Sequence, residues 1–235
     1  MENSQIIRIE NLVKRFPVGK TKFTAVDGIS LSFGKGEFAG LVGPSGSGKT
    51  TLLNIIGSLD TPSDGTVSVI DKSVSDLSHR QSALLRNRYI GFIFQTYNLL
   101  PVYNVYENVE FALLLQKLSA SERKKAVMDA LEWVGLTDKL KSKPTMLSGG
   151  ECQRVAIARS MVKKPLIVLA DEPTANLDSK NSHHILQTMK HLNKELNTTF
   201  IFATHDEKVM QYLNRIISLE DGRVVKDEAV KNSKN

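Results

Sequence analysis

Cysteine is almost absent: Cys152 is the only one in 235 residues, so no disulfide can form within the chain. Long apolar runs are missing as well. No stretch of roughly 18 residues is apolar enough to serve as a membrane-spanning helix. The opening MENSQIIRIE has neither the basic start nor the apolar stretch of a secretory signal, and an intracellular protein without disulfides is therefore expected. Basic residues outnumber acidic ones, 31 to 25, but they are scattered, and RKK at Arg123–Lys125 fits the solvated face of a helix. No nucleic acid partner is expected. Internal repeats, low-complexity segments and sustained heptads are lacking too. The stretch KDEAVKNSKN, Lys226 to Asn235, has mixed charge and few apolar residues, so a frayed tail is expected, with 229–235 assigned to it. A chain of this length can bury a substantial core, as one large domain or as a domain with a smaller inserted lobe.

What is present is alternation. IIRIENL, GISLSF, GEFAGLVG and GTVSVI are short apolar runs separated by turn residues, and they read as strands, several of them antiparallel. A helical pattern begins at Gly48 and runs through KTTLLNIIGSL to the turn DTPSDG. From about Asn104 to Val162 the period becomes helical, in ENVEFALLLQKL, SERKKAVMDALEWVGL and GECQRVAIARSMV, with Ser119 or Ser121 placed to cap the second. After Pro165 strands and helices alternate again: LIVLA, SHHILQTMKHLNKEL, TTFIFAT and RIISLEDGRVV. Continuous apolar strands followed by helices predict a parallel sheet covered on both faces.

Several motifs carry chemistry. GPSGSGKT, Gly43 to Thr50, follows the apolar strand FAGLV and opens a helix, which is the setting of a phosphate-binding loop. The binding stretch is taken as Gly43, Pro44, Ser45, Gly46, Ser47, Gly48, Lys49, Thr50 and Thr51. Its glycines let backbone N–H groups wrap phosphates, Lys49 neutralises the outer ones, and the Thr50 hydroxyl can ligate Mg²⁺. LIVLADEP delivers Asp171 and Glu172 at the carboxyl end of a strand, the edge where open α/β sheets bind ligands. Asp171 is placed to hold Mg²⁺ and Glu172 to accept a proton from an attacking water. Three more polar residues sit near strand ends. Gln95 can ligate Mg²⁺ and orient water, or be a surface glutamine. His205 can donate to a terminal phosphate, or be a histidine near a turn. Asp178 in ANLD lies beyond the carboxylates, or caps the helix that follows. A second glycine turn, LSGGE with Ser148, Gly149 and Gly150, opens a helix as an anion-binding site would.

In this order, the phosphate loop, Gln95, LSGGE, VLADEP, ANLD and His205 resemble the ATP-binding cassette of ABC transporters over almost the whole chain. The resemblance implies a single ATP-hydrolysing domain with ATP and Mg²⁺ as cofactors. Its fold would be an α/β P-loop NTPase (RecA-like) core, 1–95 and 163–228, with an N-terminal antiparallel β subdomain and an inserted α-helical subdomain, 96–162. It places Phe16 of VKRF where an aromatic stacks on adenine; a core aromatic is the other reading. It further implies a homodimer in which Ser148, Gly149 and Gly150 of one copy cover the phosphate held by the other, and it counts Asp178 among the nucleotide-binding residues. Cys152 departs from the pattern, standing where a longer polar residue is frequent.

GPSGSGKTTLLNIIGSLDTPSDG, RNRYIGFIFQTYNLLPVYNVYENV and LADEPTANLD are similar to the LolD/MacB-like branch. That branch implies a separate FtsX/MacB-like membrane permease, a peripheral location on the cytoplasmic face of the membrane, and work in lipoprotein release, export or transmembrane signalling. Thr96–Val109, TYNLLPVYNVYENV, is expected to line the groove that receives the permease. A soluble ABC-type ATPase of DNA repair or chromosome maintenance shares the nucleotide motifs. It would need a long coiled coil or zinc module between Gln95 and Ser148, where this chain has only the 52 residues 96–147.

Overall fold

The computed structural model describes residues 5–230. It begins with a long hairpin, β1 (Gln5–Val18) and β2 (Thr21–Gly34), reversed over Gly19 and Lys20. Ile7 and Ile9 of β1 are buried while Arg8 and Glu10 are exposed, the two-residue period of a half-buried strand. β3 (Phe38–Val42) then leads through a loop into α1 (Lys49–Ile56). β4 (Asp64–Val69) pairs with β1 and β5 (Lys72–Ser73) with β4, completing an antiparallel sheet of order β2-β1-β4-β5.

α2 (His79–Tyr89) has no counterpart among the sequence expectations. Only Leu85 of it is buried, so it carries no apolar stripe; a capping box between Ser78 and Gln81 starts it. β6 (Ile90–Ile93) follows, and then the helical lobe: α3 (Val105–Glu110), α4 (Ala120–Trp133) and α5 (Gly149–Met161). The helix expected from Glu107 to Leu118 is shorter. It tightens into a 3₁₀ turn at Phe111–Leu113 and leaves Leu114 and Leu115 exposed, because five consecutive apolar residues present no single face to bury. Ser119, not Ser121, caps α4: its hydroxyl accepts from Glu122 N, and the Glu122 carboxylate accepts from Ser119 N. The interval 96–147 thus holds α3, α4 and short turns, which leaves no room for an inserted coiled coil.

The remaining elements are β7 (Ile167–Asp171), α6 (Ser179–Leu196), β8 (Thr199–Thr204), α7 (Glu207–Met210), β9 (Arg215–Glu220) and β10 (Arg223–Ala229). The tail expected from 229 begins later than the composition implies. β10 runs through Ala229, and Val230 N donates to Asn214 O at 2.8 Å. An exposed edge strand is polar on composition yet held by its ladder and by the Arg215 guanidinium, which donates to both Asp227 oxygens at 2.8 and 2.7 Å. The rest of that expected tail, 231–235, lies outside the described residues.

The second sheet has the order β10-β9-β3-β8-β7-β6, parallel throughout except for β10. Alternate residues of its central strands feed two cores. Ala39, Leu41, Leu169, Ile201 and Ala203 face α1 and the antiparallel sheet; Phe38, Val168, Ala170, Phe200 and Phe202 face the helical lobe and α6. Three phenylalanines, Phe38, Phe200 and Phe202, form the centre of the second core, with centroids 4.8–6.2 Å apart. Truncating one of them to alanine would cost about 3–5 kcal/mol. Coverage on both faces is what the unbroken apolar strands of the sequence required.

Candidate functional site

The strands β3, β8 and β7 end nearly level: Val42 lies opposite Thr204, and Asp171 opposite Ala203. The residues that follow, Gly43, His205 and Glu172, are therefore delivered to one sheet edge. The loop 43–48 crosses this edge and α1 starts from Gly48, in the left-handed region at φ 96° with no side-chain cap. The first N–H groups of α1 are thus left for a ligand. A side chain cannot be tolerated at Gly48, where a Cβ would stand 2.4 Å from Ala25 O, or at Gly43, where it would stand 2.1 Å from Leu219 O. The loop is braced from behind by the β9–β10 turn, whose Gly222 N donates to Ser47 O at 3.2 Å.

Lys49 is buried, and its ammonium donates to Gly43 O and Pro44 O, both at 2.7 Å, which curls the loop around it. Burial lowers its pKa, opposed by the nearby Glu172 and Asp171 carboxylates. Thr50 Oγ1 donates to Asp171 at 3.0 and 3.2 Å. Burial also raises the Asp171 pKa; the Thr50 hydrogen bond opposes this, Glu172 adds to it, and Lys49 opposes it. Glu172 sits at φ 45°, an uncommon conformation for a residue with a side chain, and one that clusters at functional sites. Its Oε1 is 2.6 Å from His205 Nδ1, and its Oε2 accepts from Thr204 Oγ1 at 3.2 Å.

These groups border one cleft of about 500 Å³. Its phosphate-like end holds Ser45, Gly46, Gly48, Lys49, Thr50 and Thr51 with Gln95, Asp171, Glu172 and His205. Its other end is Phe16, Phe23 and Ala25. Phe16 is 36% exposed, so it is not a core aromatic. Gly43, Pro44 and Ser47 form the back of the loop and not the lining. Thr50, Asp171 and Gln95 offer a hydroxyl, a carboxylate and an amide, all oxygen donors of the class that suits Mg²⁺. A cation beside Asp171 would also offset the cost of ionising that buried carboxyl. Among the described residues no group of three or more His, Cys, Asp or Glu side chains could hold a metal.

Four further expected residues are not in this lining: Ser148, Gly149, Gly150 and Asp178. Ser148 caps α5, accepting from Glu151 N at 3.2 Å while Glu151 Oε2 accepts from Ser148 N at 2.8 Å. Asp178 caps α6, accepting from Asn181 N and Nδ2 at 2.9 and 2.6 Å. Cys152 is buried one turn into α5, its Sγ 3.6 Å from Pro144 O, and burial raises its pKa. Phe23 and Ala25 escaped the sequence reading. The signal for them is the two-residue turn at Gly19–Lys20, which sets Phe16 opposite Phe23 and so puts both on one face.

The segment 96–109 divides in a way its composition conceals. Val105 and Val109 are buried, and Tyr106 packs on the second core. A groove of about 270 Å³ lies instead among Phe92, Phe94, Phe111, Ala112, Arg159 and Lys163, and of that segment only Asn98 lines it.

Compared with known proteins, residues 26–175 match the family model described as ABC transporter. The chain is 44% identical over 227 residues to the lipoprotein-releasing system ATP-binding protein LolD of Pseudoalteromonas translucida strain TAC 125, covering 97% of this chain and 98% of that protein. It is 42% identical over 223 residues to the macrolide export ATP-binding/permease protein MacB of Bdellovibrio bacteriovorus, covering 95% of this chain and 34% of that one. Among solved structures, the dimeric post-hydrolysis state of the ATP-binding cassette MJ0796 bound to ADP and Pi, a protein of Methanocaldococcus jannaschii, superposes with a TM-score of 0.89 at 40% identity. The match covers 96% of this chain and 99% of that one.

Proposed function

The chain belongs to the ABC transporter family as an ATP-hydrolysing cassette, and from that premise we propose how its residues divide the work. The phosphate loop and Lys49 hold the triphosphate in the cleft. Glu172 accepts a proton from the attacking water, giving ADP and phosphate. His205, against Glu172, and Gln95 position that water and the terminal phosphate. Thr50, Asp171 and Gln95 would hold Mg²⁺, which when bound supplies positive charge to the phosphate oxygens. Phe16 stacks on the base.

The observation that carries the reading is an incomplete cleft. One copy gathers the phosphate loop, both carboxylates, Gln95 and His205, but not Ser148, Gly149, Gly150 or Asp178. A second copy facing it head to tail completes the site, its Ser148–Gly150 turn laid against the phosphate and its Asp178 at the seam. Closing and reopening of that dimer drives a separate FtsX/MacB-like permease, for lipoprotein release, export or transmembrane signalling. The names of the LolD and MacB relatives support this assignment. No helix of the described residues is long and apolar enough to cross a membrane, in keeping with a peripheral seat on the cytoplasmic face. The core 1–95 and 163–228 holds the nucleotide, and the lobe 96–162 presents the second glycine turn. The groove around Phe92, Phe111 and Arg159 is the docking place for the permease.

Glu172→Gln tests the chemistry. The amide keeps the shape and loses the proton acceptor, so turnover should fall by about 10²–10⁴-fold. ATP binding should persist, and a dimer stable in size-exclusion chromatography with ATP should accumulate. A variant that hydrolyses ATP at the wild-type rate, or stays monomeric with ATP bound, rejects Glu172 as the base.

A further inference from the structure

We propose that Phe23 is a second base-binding residue, which with Phe16 forms a two-ring platform for the nucleotide base at the apolar end of the cleft. The inference rests on the nucleotide reading of that cleft. Phe16 on β1 and Phe23 on β2 are direct cross-strand partners, so both side chains leave the hairpin on the same face. Ala25, two residues beyond Phe23, lines the cleft as well. Phe16 already has one cationic neighbour: the Lys14 ammonium lies 5.0 Å from its centroid, fixed by Asp60 Oδ1 at 2.5 Å and Thr61 O at 2.9 Å. Phe23 is 54% exposed and has no ring or cation against it among the described residues. A large aromatic side chain bordering the cleft without a partner is half of a stack waiting for a planar ligand.

The chemistry of the ligand follows from what that end of the cleft lacks. Phe16, Phe23 and Ala25 offer no side-chain donor or acceptor, whereas the polar side chains of the lining gather around the phosphate end. The base is therefore held by its π-face and not read by its edge. Guanine should be held on the same footing as adenine.

The test measures binding of ATP, GTP and tripolyphosphate to the isolated full chain and to its Phe16→Ala, Phe23→Ala and Phe23→Trp variants. Stacking losses of the usual size raise the dissociation constant about 5- to 150-fold. Phe23→Ala should weaken ATP and GTP by at least about fivefold and by the same factor, and leave tripolyphosphate binding unchanged. In Phe23→Trp, ATP should quench the added indole emission and tripolyphosphate should not; Trp133, the single native tryptophan, supplies the wild-type baseline. The proposal is overturned if Phe23→Ala binds ATP as the wild type does, or loses ATP and tripolyphosphate equally, or if the indole of Phe23→Trp ignores ATP. Should Phe23→Ala fail to fold, the Phe23→Trp signal decides alone. Weakening by Phe23→Ala with no effect of Phe16→Ala keeps Phe23 as a base-binding residue but overturns the two-ring platform; the reverse keeps Phe16 and rejects Phe23. Equal affinity of the wild type for ATP and tripolyphosphate rejects both.

Discussion

Two helices in this molecule start from glycine turns, and they start differently. α1 begins at Gly48 with no side-chain cap and no acidic residue in its first turn. α5 begins at Ser148 with a complete capping box, and Glu151 stands in its first turn. Both expose N–H groups that favour an anion. Only α1 lies in the cleft, with Lys49 beside it. The uncapped start leaves its donors to a ligand that comes to its own chain. The self-capped start satisfies part of its needs internally, and so it can stand ready, folded and rigid, at a place where its own chain has no ligand. The capping box alone does not mark a presenter, because α2, α3 and α4 carry one too; what sets α1 apart as the holder is the missing cap together with its place in the cleft.

The largest effect expected from this comparison comes from disabling the two starts in separate chains. Lys49→Ala should lower turnover by about 10²–10³-fold, and Gly149→Asp by a comparable factor. A carboxylate at 149 would face the opposing phosphate, and its Cβ would already stand 3.0 Å from Tyr97 Oη. A tandem-linked dimer with one variant in each half should recover activity, because one site then has an intact loop from one half and an intact turn from the other. If such dimers bind ATP and close yet stay at the level of the single variants, the two starts serve the same chain and the contrast collapses.

A smaller effect concerns folding. Ser148→Ala removes the cap of α5 and should cost about 1 kcal/mol, or about 2–4 °C in the melting temperature of a chain this long. α1 has no such cap to lose. A melting temperature unchanged by Ser148→Ala would mean that α5 does not depend on its box.

The smallest effect is a difference of sign with pH. The hydrogen bond from Ser148 N holds the Glu151 carboxyl below its ordinary value, so its stabilising contribution is complete above about pH 4.3 and is lost as pH falls through the depressed value. Beside α1, burial holds the Asp171 carboxyl above its ordinary value, so the nucleotide-free protein loses stability as pH rises through the raised value. Melting curves of Glu151→Gln and Asp171→Asn against the wild type should show gaps that move in opposite directions across the acid range. Parallel curves would contradict the two environments described.

The holder was legible in the sequence and the presenter only partly so, for a physical reason. A phosphate loop, its helix and its lysine are contiguous, and the carboxylates ride on an apolar strand whose end is visible, so Lys49, Thr50, Asp171 and Glu172 could be named from local pattern. LSGGE could be read locally as an anion-binding helix start, but where it acts is a question of tertiary placement, which only the resemblance addressed. Phe23 was missed because its role depends on pairing with Phe16 across a turn. α2 was missed because a helix with one buried residue leaves no stripe, although its Ser78–Gln81 box was there to be read. The last residues of β10 read as the start of a tail because edge strands are polar and their support, here Arg215 on Asp227, comes from elsewhere in the chain. Local chemistry is written locally; partnership across the fold is not.

The brace behind the phosphate loop sets an order of events during synthesis. The backbone that closes around the rear of residues 43–50, Leu219 O against Gly43 and Gly222 N on Ser47 O, belongs to a turn made more than 160 residues later. Asp27 N, on the strand beside the loop, also waits for Gly222 O. A growing chain therefore carries the whole phosphate-loop motif before it carries the backbone that closes around it. The phosphate loop thus acquires its rear support only once the β9–β10 turn has been made, well after the loop itself.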